Sequence, residues 1–193
     1  MSLTPSTMME LGTKAPAFAL PDVRTGKTVT LSDFSDKQSL LVVFMCAHCP
    51  YVKLVEKQLA AIGSDYEPLG LGIVAISAND AEAYPDDAVE KLKEQAYRLN
   101  FVFPYLYDET QQTAKAYQAA CTPDLFLFNT QRKLVYRGQL DDARPGNGKP
   151  VTGKNLRAAI SAIISGTPVS ATQLPATGCN IKWKPGNAPE YSG

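Results

Sequence analysis

The sequence predicts an α/β domain in which a central mixed sheet is flanked by helices, with an N-terminal β-hairpin before it and a C-terminal extension after it. Three observations carry this. "SLLVVFM" (39–45) is a continuous apolar run rich in β-branched residues, as expected of a strand covered on both faces. The segments after it alternate between helix and strand patterns. Further on, "LFLFN" (125–129) and "KLVYRG" (133–138) flank a tight turn and read as an antiparallel hairpin. A chain of 193 residues, 45% hydrophobic and 20% charged, fits one globular domain with a sizeable core.

In chain order, "GTKAPAFALPDVRTGKTVTLSDF" mixes short β-prone pieces with the turn signals Pro21-Asp22 and Gly26-Lys27, which predicts the entry hairpin. After the first core strand, residues 50–62 place Val52, Val55, Leu59 and Ile62 at helical spacing, with Lys53, Glu56 and Lys57 turned outward. A strand at 71–77 follows, then a helix over 86–100, a short piece around Pro104 to Tyr107, and a helix over 109–120. The last helix is expected at 153–166. Residues 1–166 form the expected domain, and 167–193, which hold the only tryptophan, Trp183, form an extension laid over it.

Nineteen basic and nineteen acidic residues cancel, with no Lys/Arg run longer than two, so neither a nucleic-acid nor an anionic-membrane partner is expected. No apolar run approaches the roughly 18 residues of a membrane span, and no leader pattern opens the sequence, which points to the cytoplasm. Oligomeric state is not legible.

Four cysteines are too few for a disulfide scaffold in a chain of this length. Two of them, Cys46 and Cys49, stand three positions apart in "CAHC", at the junction of the apolar strand and a helix pattern. A bridge between them closes a very small loop and would constrain the unfolded chain little, so the spacing suits reversible exchange better than stapling. A helix terminus favours a thiolate, which makes Cys46 the expected nucleophile and Cys49 the resolving thiol. Pro50 comes early enough in the helix to be tolerated. His48, the only histidine, reads either as a surface imidazole or as a donor that stabilises the Cys46 thiolate. The second reading makes the pair more oxidising than one with an apolar residue in that slot.

Several segments together resemble the alkyl hydroperoxide reductase/thiol-specific antioxidant family of thioredoxin-fold proteins, and within it the peroxiredoxin-like thioredoxin-family branch. They are "GTKAPAFAL" (12–20), "VTLSDF" (29–34), "CAHCPYV" (46–52), "YDETQ" (107–111), "ACTPDLFLF" (120–128), "LVYRGQLDD" (134–142) and "GCNIKWK" (178–184). The resemblance spans nearly the whole chain. It implies that Pro123 is a cis-proline facing the cysteine pair and that Thr122 offers backbone groups to an incoming disulfide. One departure concerns peroxide chemistry. In the P-x-x-x-[TS]-x-x-C pattern of peroxiredoxins, counting back from Cys49 gives Val42 and Cys46, and counting back from Cys46 gives Ser39 and Val43, so neither register fits. The strand before Cys46 also lacks the buried acid of thioredoxins, which leaves Asp124 as candidate proton acceptor or as a solvent-facing residue.

The expected activity is thiol-disulfide exchange in redox homeostasis, with a protein or small-molecule disulfide as substrate, a separate reductant and no cofactor. Two alternatives stay open: a thiol peroxidase with an antioxidant role, and a Cu(I)-binding module using Cys46, Cys49 and His48. Cys121 reads as a small buried thiol or as a neighbour of the pair, and Cys179 as a peripheral thiol or a partner for Cys121.

Overall fold

A computed structural model describes residues 3–192. The chain opens with β1 (Leu3–Pro5) and the expected hairpin, β2 (Ala19–Pro21) and β3 (Thr28–Thr30). The core begins with β4 (Ser39–Phe44), α1 (Pro50–Tyr66), β5 (Leu71–Ser77), α2 (Val89–Arg98), β6 (Tyr105–Tyr107) and α3 (Gln112–Ala116). It is completed by β7 (Cys121–Thr122), β8 (Asp124–Phe128), β9 (Leu134–Arg137), α4 (Lys154–Ile164) and β10 (Thr177–Asn180).

Five strands form the central sheet in the order β6-β5-β4-β8-β9. β4 lies parallel to β5, and β5 to β6, whereas β8 runs antiparallel to both β4 and β9. The sheet is therefore mixed and β4 is its centre. Alternate β4 residues serve opposite faces. Leu41 and Val43 meet Val52, Val55, Leu59 and Ile62 of α1 and Leu156 and Ile160 of α4. Leu40, Val42 and Phe44 meet Phe126, Phe128 and Tyr117 on the other face. Burial on both faces is why the sequence of β4 is apolar without alternation.

Three details depart from the sequence-based expectation. Glu56 is buried rather than outward, because Gln95 and Arg98 of α2 donate to its carboxylate at 2.8 Å each. α3 is shorter than expected, since Gln111 (φ 63°) and Gln118 (φ 51°) break the helical backbone on either side of it. α2 starts at Val89, because Pro85–Asp87 forms a separate one-turn 3-10 helix and Ala88 turns extended (ψ 155°). That turn points Asp87 inward.

A second sheet, β1-β10-β7, is antiparallel, and it aligns Cys179 with Leu3 on one side and with Thr122 on the other. The chain beyond β10 is held by buried amides: Lys182 N–H donates to Asn79 Oδ1 at 2.9 Å, and Lys184 N–H to Gln111 Oε1 at 2.9 Å. Among the described residues no helix is long and apolar enough to cross a membrane.

Candidate active site

The backbone leaves β4 at Phe44, and Met45 N–H still reaches the Ile76 carbonyl at 2.9 Å, so the sheet fixes the approach to Cys46. From Cys46 the chain turns towards α1. Asp87, fully buried, holds this turn: one carboxylate oxygen accepts the Ala47 and His48 N–H groups at 2.8 and 3.0 Å. The other accepts from His48 Nδ1 and, at 2.7 Å, from Asn79 Nδ2. Four donors on one desolvated carboxylate fix both residues between the cysteines and the ring of His48. That ring stacks on Tyr84, with centroids 6.0 Å apart and an interplanar angle of 11°.

Cys49, not Cys46, sits at the helix terminus. It is the N-cap residue of α1 with Pro50 in the first helical position, and its carbonyl accepts the first helical bond, from Lys53 N–H at 2.9 Å. The expectation that Cys46 enjoys the helix terminus is thus corrected by one turn. Both sulfurs are fully buried.

The Thr122-Pro123 peptide is cis, as the resemblance implied, and it faces the pair. Cys46 Sγ lies 3.6 Å from Thr122 Oγ1 and 3.9 Å from His48 Nδ1. Cys49 Sγ lies 3.3 Å from the Thr122 carbonyl oxygen and 3.0 Å from Cys179 Sγ. Among the described residues no cysteine pair is at disulfide distance.

The reduced pair shares a proton unequally. Cys46 donates to Cys49, burial adds to the effect and the Asp87 carboxylate lies near, which together push the Cys46 thiol well up. The hydrogen bond from Cys46, helped by Cys179, Thr122 and the Val52 backbone, pulls Cys49 down to about 4 against its own burial. The negative charge of the resting dithiol therefore rests on Cys49, where the helix terminus supports it. Burial and the neighbouring Cys49 push the Cys179 thiol up to about 12.

Sequence reasoning missed Asp87, because an acidic doublet after a proline reads as a solvated turn, and it missed the meeting of Cys179 with Cys49. Asp124 is not solvent-facing: fully buried, it accepts Ala120 N–H at 3.1 Å and pairs with buried Arg137 at 3.6 Å. Burial nonetheless pushes its carboxyl up to about 6. Cys121 is a buried thiol directed at the Pro123 carbonyl at 3.7 Å, and burial pushes it up. For a metal, Cys46, His48 and Asp87 offer ligand atoms within 4.8 Å of one another. Each of those atoms is engaged in the hydrogen bonds described above.

Comparison with known proteins bears on the family and the fold. The chain is 51% identical to an uncharacterized conserved protein from Geobacillus kaustophilus, with a TM-score of 0.94, covering 96% of this chain and 98% of that one. It is 50% identical to a hypothetical protein from Sinorhizobium meliloti 1021, with a TM-score of 0.93, covering 95% and 100%. A curated relative, the thiol-disulfide oxidoreductase ResA of Geobacillus kaustophilus, is 28% identical over 141 residues, which span 71% of this chain and 75% of that protein. With the profile of the AhpC/TSA family matching residues 11–137, the chain belongs to the AhpC/TSA family and is an oxidoreductase of thioredoxin fold, of the thiol-disulfide oxidoreductase or peroxiredoxin-like kind.

Proposed function

We propose that the protein exchanges disulfides through the Cys46–Cys49 pair, with Cys46 attacking and Cys49 resolving. The observation that carries this is that Thr122, beside the cis-proline, contacts both sulfurs, through its hydroxyl to Cys46 and its carbonyl to Cys49. The half-buried His48 lies 3.9 Å from Cys46 Sγ, whereas the neighbours of Cys49 Sγ are the buried Thr122 carbonyl and Cys179, which makes Cys46 the sulfur that an incoming disulfide meets first. The hydrogen bond from Cys46 to Cys49 supplies the proton path: Cys49 takes the proton as Cys46 attacks one substrate sulfur and expels the other as a thiolate. Cys49 then gives that proton up and attacks Cys46, the second substrate thiolate leaves, and the two leaving thiolates are protonated, one by the proton that Cys46 gave up and one by a proton from water. One protein dithiol and one substrate disulfide become one protein disulfide and two thiols.

The substrate is a protein or small-molecule disulfide, and a separate cytoplasmic thiol reductant closes the cycle. Reduction of insulin disulfides is expected for the wild type and is expected to be lost in Cys46→Ser, while Cys49→Ser should trap a mixed disulfide on Cys46. Peroxide consumption faster than insulin reduction, with no trapped adduct, would replace this reading by the peroxidase one. The family assignment keeps that alternative in play, although neither cysteine has the peroxiredoxin residues before it.

A further inference from the structure

We propose that Cys179 is a third redox thiol that shares Cys49 with Cys46, so that the oxidised protein exchanges between a Cys46–Cys49 and a Cys49–Cys179 disulfide. The inference rests on the Cys46–Cys49 exchange proposed above. Cys179 Sγ lies 3.0 Å from Cys49 Sγ, closer than the Thr122 carbonyl at 3.3 Å, although the two cysteines are 130 positions apart in sequence. Cys179 is 2% exposed, and at this distance no solvent separates the two sulfurs.

The fold brings this contact about through a specific close approach. β10 aligns Cys179 opposite Thr122, and a Cβ at the preceding Gly178 would collide with the Thr122 carbonyl. Only glycine lets the strand lie this near the loop that faces the pair. On the far edge β1 pairs with β10 and aligns Leu3 with Cys179, so the thiol is clamped between two strands.

The step is an internal exchange. With the Cys46–Cys49 bond formed, the Cys179 sulfur attacks the Cys49 sulfur. The Cys49–Cys179 bond forms, the Cys46–Cys49 bond breaks, and Cys46 departs as the thiolate and takes up the proton that Cys179 gives up. One S–S bond replaces another and no outside oxidant or reductant is consumed. The exchange returns a reduced Cys46 while the oxidising equivalents stay beneath it, and attack of Cys46 on Cys49 reverses it.

The test is disulfide mapping after oxidation of the reduced protein with one equivalent of diamide, a diazene that accepts two electrons, followed by acid quench, alkylation and peptide analysis. Wild type should give both Cys46–Cys49 and Cys49–Cys179 peptides. Cys46→Ser should give Cys49–Cys179 alone, forming at least about tenfold faster than any linkage in the Cys46→Ser/Cys179→Ser double variant, because the two sulfurs are already in contact. Cys46–Cys49 as the only linkage in wild type, together with no Cys49–Cys179 bond in a folded Cys46→Ser variant, overturns the proposal and leaves the pair intact. Absence of Cys46–Cys49 from wild type instead removes the reading on which it rests. Cys179→Ala, in which no hydroxyl replaces the thiol, should show Cys46–Cys49 as its only linkage. A second linkage there, such as one to Cys121, equally overturns it.

Discussion

Replacing Asp87 by Asn asks whether one carboxylate holds the Cys46–Cys49 turn. The amide keeps one acceptor oxygen, so the Ala47 and His48 N–H groups retain a partner. At the other position an NH2 faces His48 Nδ1 and the amide of Asn79. His48 can respond by changing tautomer. Asn79 cannot turn over without giving up its acceptance of Lys182 N–H at 2.9 Å, so one buried donor is left unpaired. That costs about 1–3 kcal/mol, and loss of charge assistance in the two surviving bonds adds about 1 kcal/mol. The total of about 3 kcal/mol corresponds to a Tm lower by roughly 6–12 °C in a chain of this size. Urea unfolding of the reduced protein should show a lower midpoint at unchanged slope. Because the Asp87 charge also helps push the Cys46 thiol up, the ultraviolet thiolate signal of Cys46 should move to lower pH in the variant. A stability loss under about 1 kcal/mol, with that signal unmoved, would refute the assignment of Asp87 as the positioning residue of the turn.

Three further outcomes are expected. Cys49, held down to about 4, should keep thiolate absorbance in the reduced wild type well below neutral pH, and Cys49→Ser should abolish it. Since the unfolded value is about 8.5, the stability this thiolate gives the reduced fold is full above that pH and fades as pH falls towards about 4. The gap in unfolding free energy between reduced wild type and Cys49→Ser should therefore shrink from pH 8 to pH 4, and a constant gap contradicts the assignment. Arg137→Met strands the buried Asp124 charge and should cost about 3–5 kcal/mol at pH 8. The Asp124 carboxyl, already at about 6, takes up a proton as pH falls, so the same variant should be less impaired at pH 5; denaturation at the two pH values checks the sign. Gly178→Ala pushes β10 off the Thr122 carbonyl, for about 1–3 kcal/mol by thermal unfolding, and should remove the Cys49–Cys179 linkage from the disulfide map; an unchanged map contradicts the close-approach argument.

What the sequence revealed follows from range. β4 was legible because six consecutive buried residues leave an apolar run, and α1 because Val52, Val55, Leu59 and Ile62 repeat at helical spacing. The cysteine spacing and the strand-to-helix junction are equally local, so the pair could be found. Asp87 was not, because its partners lie 39 and 40 positions away and an acid after Pro85 looks solvated when nothing shows what it turns towards. Glu56 misled for the same reason: its helix pattern says outward, and only the arrival of Gln95 and Arg98 buries it. The β1-β10-β7 sheet left almost no trace, since "LTP", "CT" and "TGCN" are too short to show alternation and pair entirely across distance.

The pairing of Leu3 with Cys179 bears on how the protein is made. A contact between residues this far apart closes a very long loop, and its entropy must be met before its interactions reward it. Cys46, Cys49 and Cys121 all leave the ribosome before Cys179 does. An incomplete chain can thus join Cys46 to Cys49, but it meets Cys179 only once the final strand has docked between the first one and β7. Shielding of the Cys179 sulfur from alkylation is therefore a clock for the last stage of folding.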